Sequence, residues 1–183
     1  MQNIVVFSSR SGSDAIFLSN YIFESNFPYK IKFFVTNNSN SPLISYGQLY
    51  NIEVKRVPFR PEVEDYEKLK LERTDLILLM GYLRIIPEWM CKEFIVYNLH
   101  PGNIEKYPEL KGIHPQKKAI ERRLRDTGCV IHRVDREVDE GKVVISSRVD
   151  IFPEDTEDSL IDKLSVDAKN LWIKFLINLK KGI

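Results

Sequence analysis

The stretch "YNLHPGNIEKYPELKGIHP", residues 97–115, follows an apolar run, "EFIV", that reads as a buried strand. Side chains two apart on an extended backbone point to the same side, so Asn98 and His100 form a polar pair at the end of that strand. Pro101 keeps His100 extended and ends the strand there. Asn98 and His100 are then either ordinary turn residues or two groups that a strand delivers to a cleft.

The flanking sequence favours the cleft. Short β-rich runs alternate with segments of helical period. "NIVVF" (3–7) is a strand, and "SDAIFLSNYIFES" is a helix capped by Ser13 or Asp14. "KIKFFV" (30–35) and "EVKRV" are strands on either side of a helix, "LISYGQLYN". "VEDYEKLKLER" is a charged helix, and "DLILLM" (75–80) is apolar throughout, as a strand covered on both faces should be. "PQKKAIERRLR" is a helix, "GCVIHRV" and "KVVISSRVDI" are strands, and residues 157–181 repeat apolar positions as a long amphipathic helix does. This order predicts an α/β fold, a single Rossmann-like domain over 1–183 with a mostly parallel twisted sheet and helices on both faces. Ligands of such sheets bind beyond the carboxyl ends of the strands.

Composition narrows the function classes. The formal net charge of +1 supplies no general attraction for nucleic acid or an anionic membrane. The basic run "KKAIERRLR" (117–125) places Ala119, Ile120 and Leu124 toward a core, and its charges read as a solvated face. No segment has the length of a transmembrane helix, and the N-terminus lacks the pattern of a secretory signal. Cys91 and Cys129 form no CxxC and read as reduced, buried thiols of a cytoplasmic protein. His100, His114 and His132 show no zinc spacing, so no metal is expected. His114, before Pro115, reads as a loop or helix-entry residue.

Three further segments are candidates for the same sheet edge. "SSRSGSD" (8–14) is a small-residue turn before a helix, where backbone N–H groups bind phosphate well. "MGYLRIIP" (80–87) follows the apolar strand, and "HRVDREVDEGKVV" (132–144) runs from a strand into an acidic loop. Together with "NLHPGNIEKYPELKG" they resemble the folate-dependent formyltransferases over nearly the whole chain. That family carries Asn-x-His-Pro at a strand end, a "KYPxLxG"-like segment, and a later His followed seven residues on by Asp. Here those are Asn98, His100, His132 and Asp139.

The resemblance implies transfer of a formyl group from 10-formyltetrahydrofolate, as donor cosubstrate, to a primary amine, with glycinamide ribonucleotide of purine synthesis the favoured acceptor. Asn98 and His100 are then the donors to the developing oxyanion, a contribution of roughly 2.7–4 kcal/mol for each such donor. Asp139 is the carboxylate that handles the amine proton and holds His100 cationic, and His132 is either a supporting group or a core histidine. Leu83, Arg84, Ile85 and Ile86 are implied to line the pteridine pocket, with Val138, Glu140 and Gly141 covering its other side. Arg84 could instead pair with a surface carboxylate. Ser11, Gly12, Ser13 and Asp14 are implied to hold the substrate phosphate.

The sequence also departs from the family. Asp14 brings a negative charge to the phosphate turn, "DEGK" replaces a "DGGP"-like loop, and Ala168 stands where the family has a ribose-binding Glu. Two alternatives follow: transfer to another amine, such as a nucleotide-linked amino sugar, or a catalytically silent folate- or nucleotide-binding module. The expected partners are small molecules, with no nucleic acid or membrane, and the protein is expected to be a monomer or homodimer.

Overall fold

In the computed structural model, which describes residues 2–73 and 75–181, the chain forms two compact units, Met1–Tyr97 and Asn98–Ile183. The first begins with β1 (Gln2–Ser8), α1 (Ser13–Glu24), β2 (Tyr29–Thr36), α2 (Pro42–Tyr50) and β3 (Glu53–Arg56). It continues through α3 (Val63–Glu67), β4 (Leu76–Leu79) and α4 (Glu88–Glu93). Its strands run in the order β3-β2-β1-β4, and all three pairings are parallel. The register sets Ile4 beside Ile31 and Leu76, which puts the most apolar part of each strand in one layer. Every residue of β4 is buried, as its unbroken apolar run predicts. Full burial of one such Leu or Ile stabilises by about 1.5–3 kcal/mol.

β5 (Ile95–His100) begins in the first unit and ends in the second. The second unit then contains a 3₁₀ turn (Pro108–Leu110), α5 (Pro115–Glu121), β6 (Asp126–Thr127), β7 (Val130–Arg133), β8 (Val143–Ser146), β9 (Val149–Asp150) and α6 (Glu157–Lys181). β7 follows β5 in the sheet and pairs antiparallel with β8, while β6 and β9 form a separate antiparallel pair. α6 buries Leu160, Leu164, Ala168, Leu171, Trp172, Phe175 and Leu176, at helical spacing, against α5 and the strands β7–β9. The mostly parallel α/β fold expected from the sequence is thus observed, with the antiparallel exceptions in the second unit.

Several boundaries differ from expectation. The helix expected over 63–73 stops at Glu67, and that expected over 115–125 stops at Glu121. Beyond each stop a residue turns left-handed, Lys70 at φ 53° and Arg123 at φ 52°. The single strand expected over 142–151 is two, β8 and β9, in different sheets. Ser147 breaks it: its hydroxyl accepts the Cys129 N–H and donates to Asp167, which fastens the turn to α6. α1 is capped by Gly12 and not by Ser13 or Asp14. Gly12 has φ 70°, and a Cβ there would lie 2.4 Å from Leu43 Cγ, so neither neighbour could replace it in this role. No described helix is long and apolar enough to cross a membrane.

Candidate active site

β5 ends with Asn98 half-buried and His100 only 5% exposed. His100 Nε2 lies 2.8 Å from the Leu110 carbonyl oxygen, which can only accept, so this nitrogen carries a proton. His100 Nδ1 faces Asp139 Oδ2 at 3.2 Å. A second proton on Nδ1 therefore makes the ring an imidazolium paired with a buried carboxylate.

Asp139 arrives from the loop between β7 and β8, with φ 57°, a conformation that Asp accepts more readily than most residues. Its Oδ2 also accepts the Gly112 N–H at 3.0 Å, and its Oδ1 lies 3.5 Å from His132 Nε2. Burial pushes this carboxyl up. The bond from His100, the charge on His100 and the Gly112 N–H outweigh burial and hold it well below the usual carboxylate range.

His132, 2% exposed, follows a register shift between Ile131 and His132 in the β7–β8 ladder, where a bulge re-aims side chains. Its Nδ1–H donates to the Arg133 carbonyl at 3.2 Å, and its Nε2 lies 3.1 Å from Asn98 Nδ2. In the neutral ring Nε2 accepts one Asn98 N–H, which orients the amide and leaves its other N–H for a ligand. Asn98 bonds His132 and Asp139 pairs with His100, and the two pairs adjoin inside the second unit, where His132 Nε2 lies 3.5 Å from Asp139 Oδ1. The loop that completes it closes where the Arg133 N–H donates to the Lys142 carbonyl at 2.9 Å. Gly141 packs there so tightly that a Cβ would sit 1.7 Å from the Arg133 carbonyl oxygen.

The remaining expected site residues divide between the units. In the second, Val138 is exposed, Gly141 is half-buried, and exposed Glu140 pairs with Lys111 Nζ at 2.6 Å. In the first, Ser11 and Ser13 are exposed, Asp14 is half-buried, and the Ser13 N–H points to Ser11 Oγ at 3.4 Å. Leu83 and Ile85 are exposed while Ile86 is buried. The Leu83 N–H donates to Ser9 Oγ at 2.9 Å, which ties the 80–87 segment to the 8–14 turn. Among the described residues no carboxylate pairs with Arg84: it donates to the carbonyls of Phe59 (2.7 Å) and Leu83 (2.9 Å) and stacks on the Phe59 ring.

Ala168 is buried in the core face of α6, and neighbouring Asp167 accepts from Ser147 and the Cys129 N–H. The functional groups that sequence reasoning missed are the Leu110 carbonyl and the Gly112 N–H. Their segment, "KYPELKG", was visible as part of a resemblance, but backbone groups leave no signal in residue type. Among the described residues no group of three or more His, Cys, Asp or Glu is placed to hold a metal ion.

The formyl transferase family model matches residues 2–176. The chain is 39% identical over 108 residues to the trifunctional purine biosynthetic protein adenosine-3 of Drosophila melanogaster, a match covering 56% of this chain and 8% of that protein. It is 29% identical over 171 residues to the phosphoribosylglycinamide formyltransferase of Haemophilus influenzae, covering 85% of this chain and 76% of that protein. The fold is similar to the crystal structure of glycinamide ribonucleotide transformylase 1 from Symbiobacterium toebii, with a TM-score of 0.88 over 100% of this chain and 89% of that one at 21% identity.

Proposed function

We propose, from the premise that the chain belongs to the formyl transferase family, that it moves a formyl group from 10-formyltetrahydrofolate to the primary amine of glycinamide ribonucleotide. One observation carries the reading: the Asn98–His132 and His100–Asp139 pairs, buried or half-buried, adjoin at the end of β5. The names of the Drosophila and Haemophilus relatives favour a purine-pathway acceptor.

The residues divide the chemistry as follows. The amine nitrogen attacks the formyl carbon, and its carbonyl π pair moves onto oxygen. The second Asn98 N–H is the donor to that oxygen, held in place by His132. Protonated His100 adds positive charge nearby, and buried Asp139 stabilises that charge. When the tetrahedral centre collapses, the C–N10 bond breaks, the amine nitrogen has lost a proton and N10 has gained one. A carboxyl held as low as that of Asp139 is a weak base, and both ring nitrogens of His100 are engaged, so these two act chiefly as a fixed charge pair while the proton moves from the amine to N10 through water.

Leu83, Arg84, Ile85 and Ile86, with Val138, Glu140 and Gly141, are assigned to the pteridine ring, and Ser11, Gly12, Ser13 and Asp14 to the substrate phosphate. Arg84, held by Phe59, serves there through its backbone. The protein acts in the cytoplasm on small molecules as one functional domain.

The test is a steady-state assay with 10-formyltetrahydrofolate, following deformylated folate by absorbance. Glycinamide ribonucleotide, a nucleotide-linked amino sugar and water alone are compared side by side. Turnover with glycinamide ribonucleotide is the expected result. Turnover with the amino sugar alone would replace the acceptor, and folate binding without turnover on any acceptor would reduce the protein to a binding module.

A further inference from the structure

We infer that Lys111 is a positioning residue for the proposed transfer: its ion pair with Glu140 latches the loop carrying Asp139 onto residues 110–112 and so sets the Asp139–His100 contact. The inference rests on the reading of Asn98, His100 and Asp139 above, and it gives a role to a residue that this reading leaves unused.

The tripeptide 110–112 meets the site at every residue. The Leu110 carbonyl accepts from His100, the Lys111 ammonium reaches Glu140 Oε2 at 2.6 Å, and the Gly112 N–H donates to Asp139. Lys118, on α5, donates from Nζ to the Lys111 carbonyl at 2.5 Å, so the tripeptide is fastened to a helix on its other side. The facing loop is built differently. Residues 135–138 are exposed, and only at Asp139 does the chain turn inward. Asp139 and Glu140 are adjacent and both bond to the same tripeptide, so releasing Glu140 loosens Asp139 from Gly112 and His100 together. Asp139 also sits in a left-handed conformation, which an unlatched chain has less reason to keep.

The Lys111 and Glu140 side chains are 32% and 48% exposed. An ion pair of that exposure changes the closed-to-open ratio of the loop about fivefold, equivalent to about 1 kcal/mol. It is also screened by salt. A surface pair with no positioning role would have neither effect on turnover.

The experiment uses the full chain with Lys111→Met, Glu140→Gln and the reversed pair Lys111→Glu/Glu140→Lys. Each single change is expected to lower kcat about twofold, and in Lys111→Met the folate KM is expected to move less than that. Added salt should lower kcat in the unaltered protein and leave Lys111→Met unaffected. The reversed pair should recover most of the loss. Independently of turnover, amide hydrogen exchange at Gly112 should accelerate about twofold in each single variant and slow again in the reversed pair. Unchanged Gly112 exchange in both single variants would overturn the latch, whatever the enzyme's activity. A chain that transfers no formyl group while Gly112 exchange still follows the ion pair would count against the proposed function and support the latch.

Discussion

Asn98 offers two N–H groups on one amide nitrogen, and His132 takes one of them at 3.1 Å. Replacing Asn98 by Ala removes the proposed oxyanion donor while leaving the ion pair of His100 and Asp139 in place. The expected outcome is a fall in kcat of about 10²–10³, with folate affinity measured by titration nearly unchanged. Asp139→Asn keeps an acceptor for the Gly112 N–H and loses the charge that balances His100. Its kcat should fall by about 100-fold or more, again with a smaller change in binding. Asn98 and His100 were legible from the strand face they share, and His132 and Asp139 from the resemblance, in which a His is followed seven residues on by an Asp. The Leu110 carbonyl and the Gly112 N–H were not, because any residue at those positions has the same groups.

The β7–loop–β8 element carries His132, just past a register shift, and Asp139. Its closure depends on Gly141, where a Cβ would meet the Arg133 carbonyl oxygen at 1.7 Å. Gly141→Ala must therefore move backbone, at a cost of about 1–3 kcal/mol, which a lowered urea midpoint would register. The same shift should lower kcat, since Asp139 lies two residues before Gly141. An unchanged midpoint with full activity would mean that the loop reaches Asp139's position by another path. Elements were legible where an apolar period carried them, as in β4 and α6. They were misread where a local conformation overrode propensity. Leu, Lys and Arg favour helix in 68–73 and 121–125, yet Lys70 and Arg123 turn left-handed, and Ser147 divides a run that reads as one strand.

For the whole molecule, acid stability follows from the paired carboxyls. Asp139 and Asp126 lie below the ordinary range, and Asp155 is held at about 2 by the Lys163 ammonium, the Phe152 N–H and the Ser159 hydroxyl. A carboxyl whose folded value lies below its unfolded value of about 3.9 contributes stability above that value and loses it as pH falls toward the folded one. The urea midpoint should thus hold near neutrality and decline as pH drops through about 4 toward 2. Asp139→Asn should show a shallower decline. A midpoint unchanged at pH 3 would contradict the buried charge at Asp139. The α/β class was legible at this scale because strands and helices alternate along the chain, whereas the antiparallel β7–β8 and β6–β9 pairs were not. Pairing direction depends on where a short loop returns, and residue pattern does not encode it.

The measurement that bears most directly on the central claim is a single-turnover assay of formyl transfer from 10-formyltetrahydrofolate to glycinamide ribonucleotide, run on the unaltered chain and on Asn98→Ala. The account predicts transfer in the first and a chemical step about 10²–10³ slower in the second. Equal rates in the two would remove Asn98 from the reaction and contradict the site as described.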